Sequence, residues 1–183
     1  PGGARVRDKE DASLDVIGHL LSQGELPDIH LVDQILVVMS GLIAIAASQV
    51  ASQGSQETIA QLRALVKPLK NNQLTKESHT LARLELISTL VQASGNLPLQ
   101  LIGRALFGQM TPIFSALARY VKVDPATFVS IADQLDQALE TRKIDSLTSA
   151  FSKLYETDRE NMMSAFEEAR SQLEKDNSKA TIK

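Results

Sequence analysis

Three histidines, His19, His30 and His79, are the first residues to test for metal or proton chemistry, and their spacing argues against both. They stand in three separate segments, without an i,i+4 partner and without an acid at ligand spacing, so they read as solvated or helix-capping imidazoles. Glu156, Asp158, Glu160, Glu167 and Glu168 gather in one stretch. That pattern reads as the polar side of a helix, because acid–base work needs carboxylates held in a cleft. Serine, histidine and aspartate are all present, but nothing arranges them as a triad or a nucleophile elbow. No phosphate-cradling loop is built from the nine glycines. Cysteine is absent, which removes disulfides, thiolate zinc sites and cysteine nucleophiles. The residues predict a protein that is not an enzyme and uses no metal or cofactor.

The elements that must position any remaining function are helices. In 183 residues, 43% are hydrophobic and 22% charged, ordinary values for one globular domain. Aromatics make up only 4%, so the core must be built from Leu, Ile, Val and Ala, which suits helix-on-helix packing. The net charge of −3 lacks the basic excess of a free-standing nucleic-acid binder. The most apolar run, Ile35 to Ala47, is interrupted by Ser40 and Gly41 and falls short of the roughly 20 residues of a membrane span. No signal peptide precedes it. Pro1 stands where an initiator Met would, which leads us to expect a piece of a longer protein.

Residues 1–12 show no helical period and fit a short strand followed by a charged linker. Ser13 then suits the N-cap of a short helix through Leu14, Ile17, Leu20 and Leu21. Asp28 opens a helix over about 28–52 that is apolar nearly all round, which predicts a central, surrounded position. A further helix carries Ile59, Leu62, Leu65, Val66 and Leu69, and another, over about 75–93, puts Leu84, Ile87, Leu90 and Val91 on one stripe. Gly95-Asn96 is a stop, Pro98 suits a helix start, and Pro112 should kink the long helix that follows. Asp124-Pro125 starts a helix through Phe128, Ile131, Leu135 and Leu139, and Asp145 caps the last one. The polar tail, 175–183, is expected to fray. Seven helices and no strand after residue 7 predict an all-α, antiparallel bundle.

The stretch Leu81-Ala-Arg-Leu-Glu-Leu-Ile-Ser-Thr-Leu-Val-Gln-Ala-Ser-Gly-Asn96 resembles the helix ending in Ala-Ser-Gly-Asn of the effector-binding domain in GntR-type bacterial transcription regulators, FadR subfamily. Pro1-Gly-Gly-Ala-Arg-Val-Arg7 looks like the end of the wing that closes their winged helix-turn-helix. Ser13 to Ile17 resembles the first effector-domain helix, and Asp33-Gln34 also fits. The resemblance implies a truncated wing and linker over 1–12, a ligand-binding domain over 13–174 with an internal cavity, and a homodimer. It implies a cytoplasmic regulator that would reach its operator DNA through a missing N-terminal domain, with no role at a membrane.

Most members of that class bind a metal through an Asp, a His four residues later and two further His. Aligned on Ala93-Ser-Gly-Asn96, this chain has Arg83 at the Asp position and Ile87 at the first His. Ala132 and Glu156 fall near the other two. The resemblance therefore implies the metal-free branch, whose effectors are acyl chains such as fatty acids or acyl-CoA. Arg83 would hold the effector's acid group with its forked donors. Leu84, Ile87, Phe107, Met110, Phe114, Ile131, Leu135, Phe151 and Tyr155 would line the cavity. The fragment alone should bind DNA weakly, because Asp8, Glu10 and Asp11 offset Arg5, Arg7 and Lys9. The reading from a different class is a helical protein-interaction module with no small-molecule ligand.

Overall fold

In a computed structural model, residues 14–23, 26–122 and 124–181 are described, without the side chains of Asp15, Pro125 and 176–181. The expected wing strand, the charged linker and the Ser13 cap lie outside these residues. The elements are α1 (Asp15–Leu21), α2 (Ile29–Gln53), α3 (Gln56–Val66), a 3₁₀ turn (Lys67–Lys70), α4 (Lys76–Ala93), α5 (Leu97–Leu117), α6 (Pro125–Thr141) and α7 (Ile144–Thr181). Among the described residues there is no strand. The fold is all-α.

Short polar side chains start the helices by accepting from backbone N–H groups that have no carbonyl within the helix. Asp28 accepts from His30, Ser55 from Thr58, Thr75 from Ser78 and Asn96 from Leu99. Asp124 accepts from both Ala126 and Thr127. Gly95, with φ at 67°, ends α4 in the left-handed conformation that costs glycine nothing. Arg142 ends α6 the same way at φ 53°, which costs a residue with a Cβ about 1 kcal/mol. Its guanidinium donates to the Gly54 carbonyl at the end of α2, where a cation meets the negative pole of the helix.

Boundaries differ from expectation in the third and last helices. α3 gives way to the 3₁₀ turn before Leu69, because Pro68 has no N–H for the α-helical bond. α5, with Pro112 inside it, spans Leu97 to Leu117 as the sequence implies. Asp145 is the second residue of α7, acting as a first-turn acid rather than the cap. α7 itself continues to Thr181, past Lys175 where polar residues take over.

The core is one continuous cluster that includes Met39, Ile43, Leu62, Leu90, Met110, Leu117, Phe128, Leu135 and Phe151. α2 packs most extensively on α7 and also meets α4 and α5, α6 lies against α3 and α7, and α1 touches α5. Gln109 on α5 ties down the start of α1 by donating to the Leu14 carbonyl at 2.9 Å. Charged residues reinforce the seams. Arg159 on α7 donates to both oxygens of Asp33 on α2 at 2.7 and 2.8 Å, and Asp136 on α6 accepts from Arg63 and Lys70 at 2.6 and 2.8 Å. Hydrogen bonds from these cations hold both carboxyls below their ordinary range.

α2 is not surrounded. Val32, Leu36, Met39, Ile43 and Val50 are buried, but Val37, Val38 and Ile45 remain 52%, 53% and 49% exposed. The helix is also longer than its apolar run, and an 18-residue window averages a hydropathy of 2.0. By length and composition alone it would pass for a membrane span. Here one face is buried against three helices and the other carries the exposed valines and Ile45.

Candidate functional site

α4 decides where charge enters the core. Its buried face is His79, Arg83, Leu86, Ile87, Leu90 and Val91. The expected stripe is therefore rotated: Leu84 is 37% exposed and faces outward with Leu81. Leucines stand on every side of this helix, so apolar spacing cannot decide which of them turns inward. Arg83 and His79, one turn apart, go in with the buried leucines, at 4% and 1% exposure.

An arginine cannot neutralise itself, so a buried guanidinium must be paired. Arg83 Nε donates to Asp158 Oδ2 at 3.2 Å and lies 2.9 Å from Oδ1. Nη1 sits 2.8 Å from His79 Nδ1, and Nη2 reaches Thr80 Oγ1 at 3.5 Å. The guanidinium lies over the Phe128 ring, 4.2 Å from its centre, with the His79 ring tilted against the same phenyl at 5.0 Å. Since arginine only donates, Nδ1 must accept, which fixes a neutral His79 with its proton on Nε2. Burial and then the Arg83 charge lower the affinity of His79 for a second proton.

Asp158 comes from α7 and completes the cluster. Its side chain is 25% exposed against 5% for Arg83. Burial raises its carboxyl above the ordinary range, and the Arg83 charge pulls in the opposite direction. Tyr155, one turn earlier, has a buried hydroxyl without a hydrogen-bond partner among the described residues. Burial raises the phenol, and the Asp158 charge adds to the effect. The site thus combines a permanent cation, a largely buried acid and, among the described residues, an unsatisfied phenol within an apolar surround.

Of the ten residues expected around a cavity, Arg83, Ile87, Met110, Ile131, Leu135, Phe151 and Tyr155 are buried, and Phe107 and Phe114 pack on the core at partial burial. Leu84 is the correction, because it faces solvent. Two concavities are open surface grooves. One runs beside Gln134, Gln137, Lys143 and Ser149, the other beside Gln56, Arg63 and Arg142, and none of the ten lines either. At the remaining metal positions of the resembled class, Ala132 is buried and Glu156 points to solvent. Among the described residues, no three His, Cys, Asp or Glu come together as a metal site.

Two functional candidates escaped the sequence. The spacing alone makes His79 a solvated or capping imidazole and Asp158 part of a polar face, whereas the fold buries His79 and pairs Asp158 with Arg83. Their signal was position: His79 stands one turn before Arg83, and Asp158 continues the inward series Phe151, Leu154, Tyr155 on α7. No family model matches the chain, and no curated protein or solved structure matches it.

Proposed function

We propose that this chain is the effector-sensing and dimerising domain of a DNA-binding transcription regulator, similar to the GntR-type FadR subfamily, taking an apolar anion without a metal. One observation carries the reading. Arg83, a permanent cation, sits in the helical core at the turn where metal-binding members of the resembled family keep a ligand-side acid. A fatty acid or acyl-CoA-like molecule offers the charge and apolar tail that such a place would select. The finer picture is an antiparallel bundle preceded by a truncated wing, in the cytoplasm, with its ligand chamber around Ile87, Met110, Ile131 and Phe151. These side chains already fill the core, so binding would have to favour a more open arrangement. Effector control of DNA binding would then be a shift between two populations.

Calorimetry and thermal-shift screening of fatty acids and acyl-CoAs should find a stabilising ligand with affinity on the order of micromolar. Ile87→Arg and Arg83→Ala should both weaken it. No acyl ligand on the wild type would refute the acyl assignment, and an unchanged Ile87→Arg would refute the chamber.

Exposure of Val37, Val38 and Ile45 supports dimerisation and equally favours the second reading, a helical interaction module. On the dimer reading, Ile45→Glu should convert a dimer to a folded monomer in light scattering behind size exclusion. A wild type that is already monomeric would leave that face to a different protein and favour the module.

A further inference from the structure

Among the described residues, Arg159 with Asp33 and Arg83 with Asp158 tie α7 to α2 and α4, and the pair with the more buried cation has the less direct hydrogen bond. Arg159 with Asp33, both partly buried, is bidentate at 2.7 and 2.8 Å. The buried pair is looser: Arg83 Nε donates at 3.2 Å to one oxygen of Asp158 while the other oxygen, nearer at 2.9 Å, is off the bond direction. A charge-assisted hydrogen bond of good fit is shorter, at about 2.7–2.9 Å. The imperfect bond lies where a well-made one would matter most, because a poorly satisfied buried charge is expensive. The Tyr155 hydroxyl, buried and unpartnered among the described residues, adds one unmet hydrogen bond beside the same groups. Asp158 has the more exposed side chain of the pair, 25% against 5% for Arg83.

We propose that Arg83 is the head of a carboxylate-binding site whose present occupant is Asp158, and that an apolar monocarboxylate binds by taking Asp158's place. The inference rests on the effector-sensing reading and adds its gate. The chain's own carboxylate keeps the buried cation paired in the unliganded state. An incoming carboxylate offers the same planar pair of oxygens, together with an apolar tail that follows Phe128 into the core. Asp158, displaced toward water, regains its solvation, and α7 loses its tie to α4. The change at one carboxylate would thereby become a change in how two helices are joined.

A site occupied by its own plug binds an outside ligand with apparent affinity reduced by the fraction of time it is free. Decanoate, titrated calorimetrically, should therefore bind Asp158→Ala at least about tenfold more tightly than the wild type, which corresponds to Asp158 holding the site about nine-tenths of the time. Asp158→Asn, which keeps the volume but loses the charge, should show the same direction. Decanol, without the acid, should bind none of them, and the charge-free pair Arg83→Met with Asp158→Leu should lose decanoate. If Asp158→Ala folds poorly, formate should raise its melting temperature more than chloride at equal ionic strength. Equal decanoate affinity in the wild type and both Asp158 variants would overturn the gate while leaving the sensing function intact. Failure of every acyl ligand on the wild type, with formate still rescuing Asp158→Ala, would instead remove the sensing function and keep Asp158 as the site's occupant. Absence of both responses would overturn the site itself.

Discussion

Asp158→Leu alone is expected to destabilise the folded chain by about 3 kcal/mol or more, and adding Arg83→Met should recover most of that loss. The single change strands a guanidinium that is 4% exposed and has no protonation state in which to shed its charge. The double change replaces the pair with apolar side chains of similar volume, and such swaps are often neutral. Arg83→Met alone should cost less than Asp158→Leu, because the stranded carboxyl can take a proton. The sign of its pH dependence follows. Burial already raises the Asp158 carboxyl, and removing Arg83 removes the cation that opposes this. A group that holds its proton more tightly when folded favours the folded state in acid and loses that advantage as pH rises. Arg83→Met should therefore lose less stability, relative to wild type, at pH 5 than at pH 7. Denaturant melts of the four proteins at both pH values give the full cycle, and a double variant as unstable as Asp158→Leu would show that the pair holds the fold together.

Phe128→Ala should cost about 3–5 kcal/mol, the usual penalty for emptying a fully buried aromatic position. The same change at Phe151, also fully buried, supplies the comparison, since among the described residues no guanidinium lies over its ring. What distinguishes Phe128 is its electrostatic part. Its ring carries the Arg83 guanidinium at 4.2 Å and the His79 ring at 5.0 Å. A desolvated cation over a phenyl face contributes about 2 kcal/mol. Phe128→Leu, which keeps most of the volume, should therefore still lose about 1–2 kcal/mol, and Phe151→Leu less. Part of the Phe128→Leu loss should vanish in the Arg83→Met background, where no cation remains to lose. Equal losses in the two backgrounds would assign the whole effect to packing.

The sequence by itself determined that the chain is helical and where most helices begin and end. Asp28, Ser55, Asn96 and Asp124 start helices because their short side chains reach backbone donors two or three residues ahead, and Gly95 ends one because it alone adopts a left-handed turn without cost. These are local interactions, complete within a few residues, so nothing distant can alter them. The facing of each helix is a different matter. Leu81, Leu84, Leu86 and Leu90 are equally apolar, yet two face water and two the core, and one residue along a helix is a rotation of about 100°. That choice depends on what α2, α6 and α7 present opposite. The same neighbours decide that Val37 and Ile45 stay exposed on the most apolar helix, where composition argued for enclosure. They also bring Asp158 to Arg83 across 75 residues of chain. The tertiary structure alone made that pairing: a lone acid on a polar-looking helix has no visible partner in the sequence, and burying Arg83 is tolerable only when one arrives from another helix.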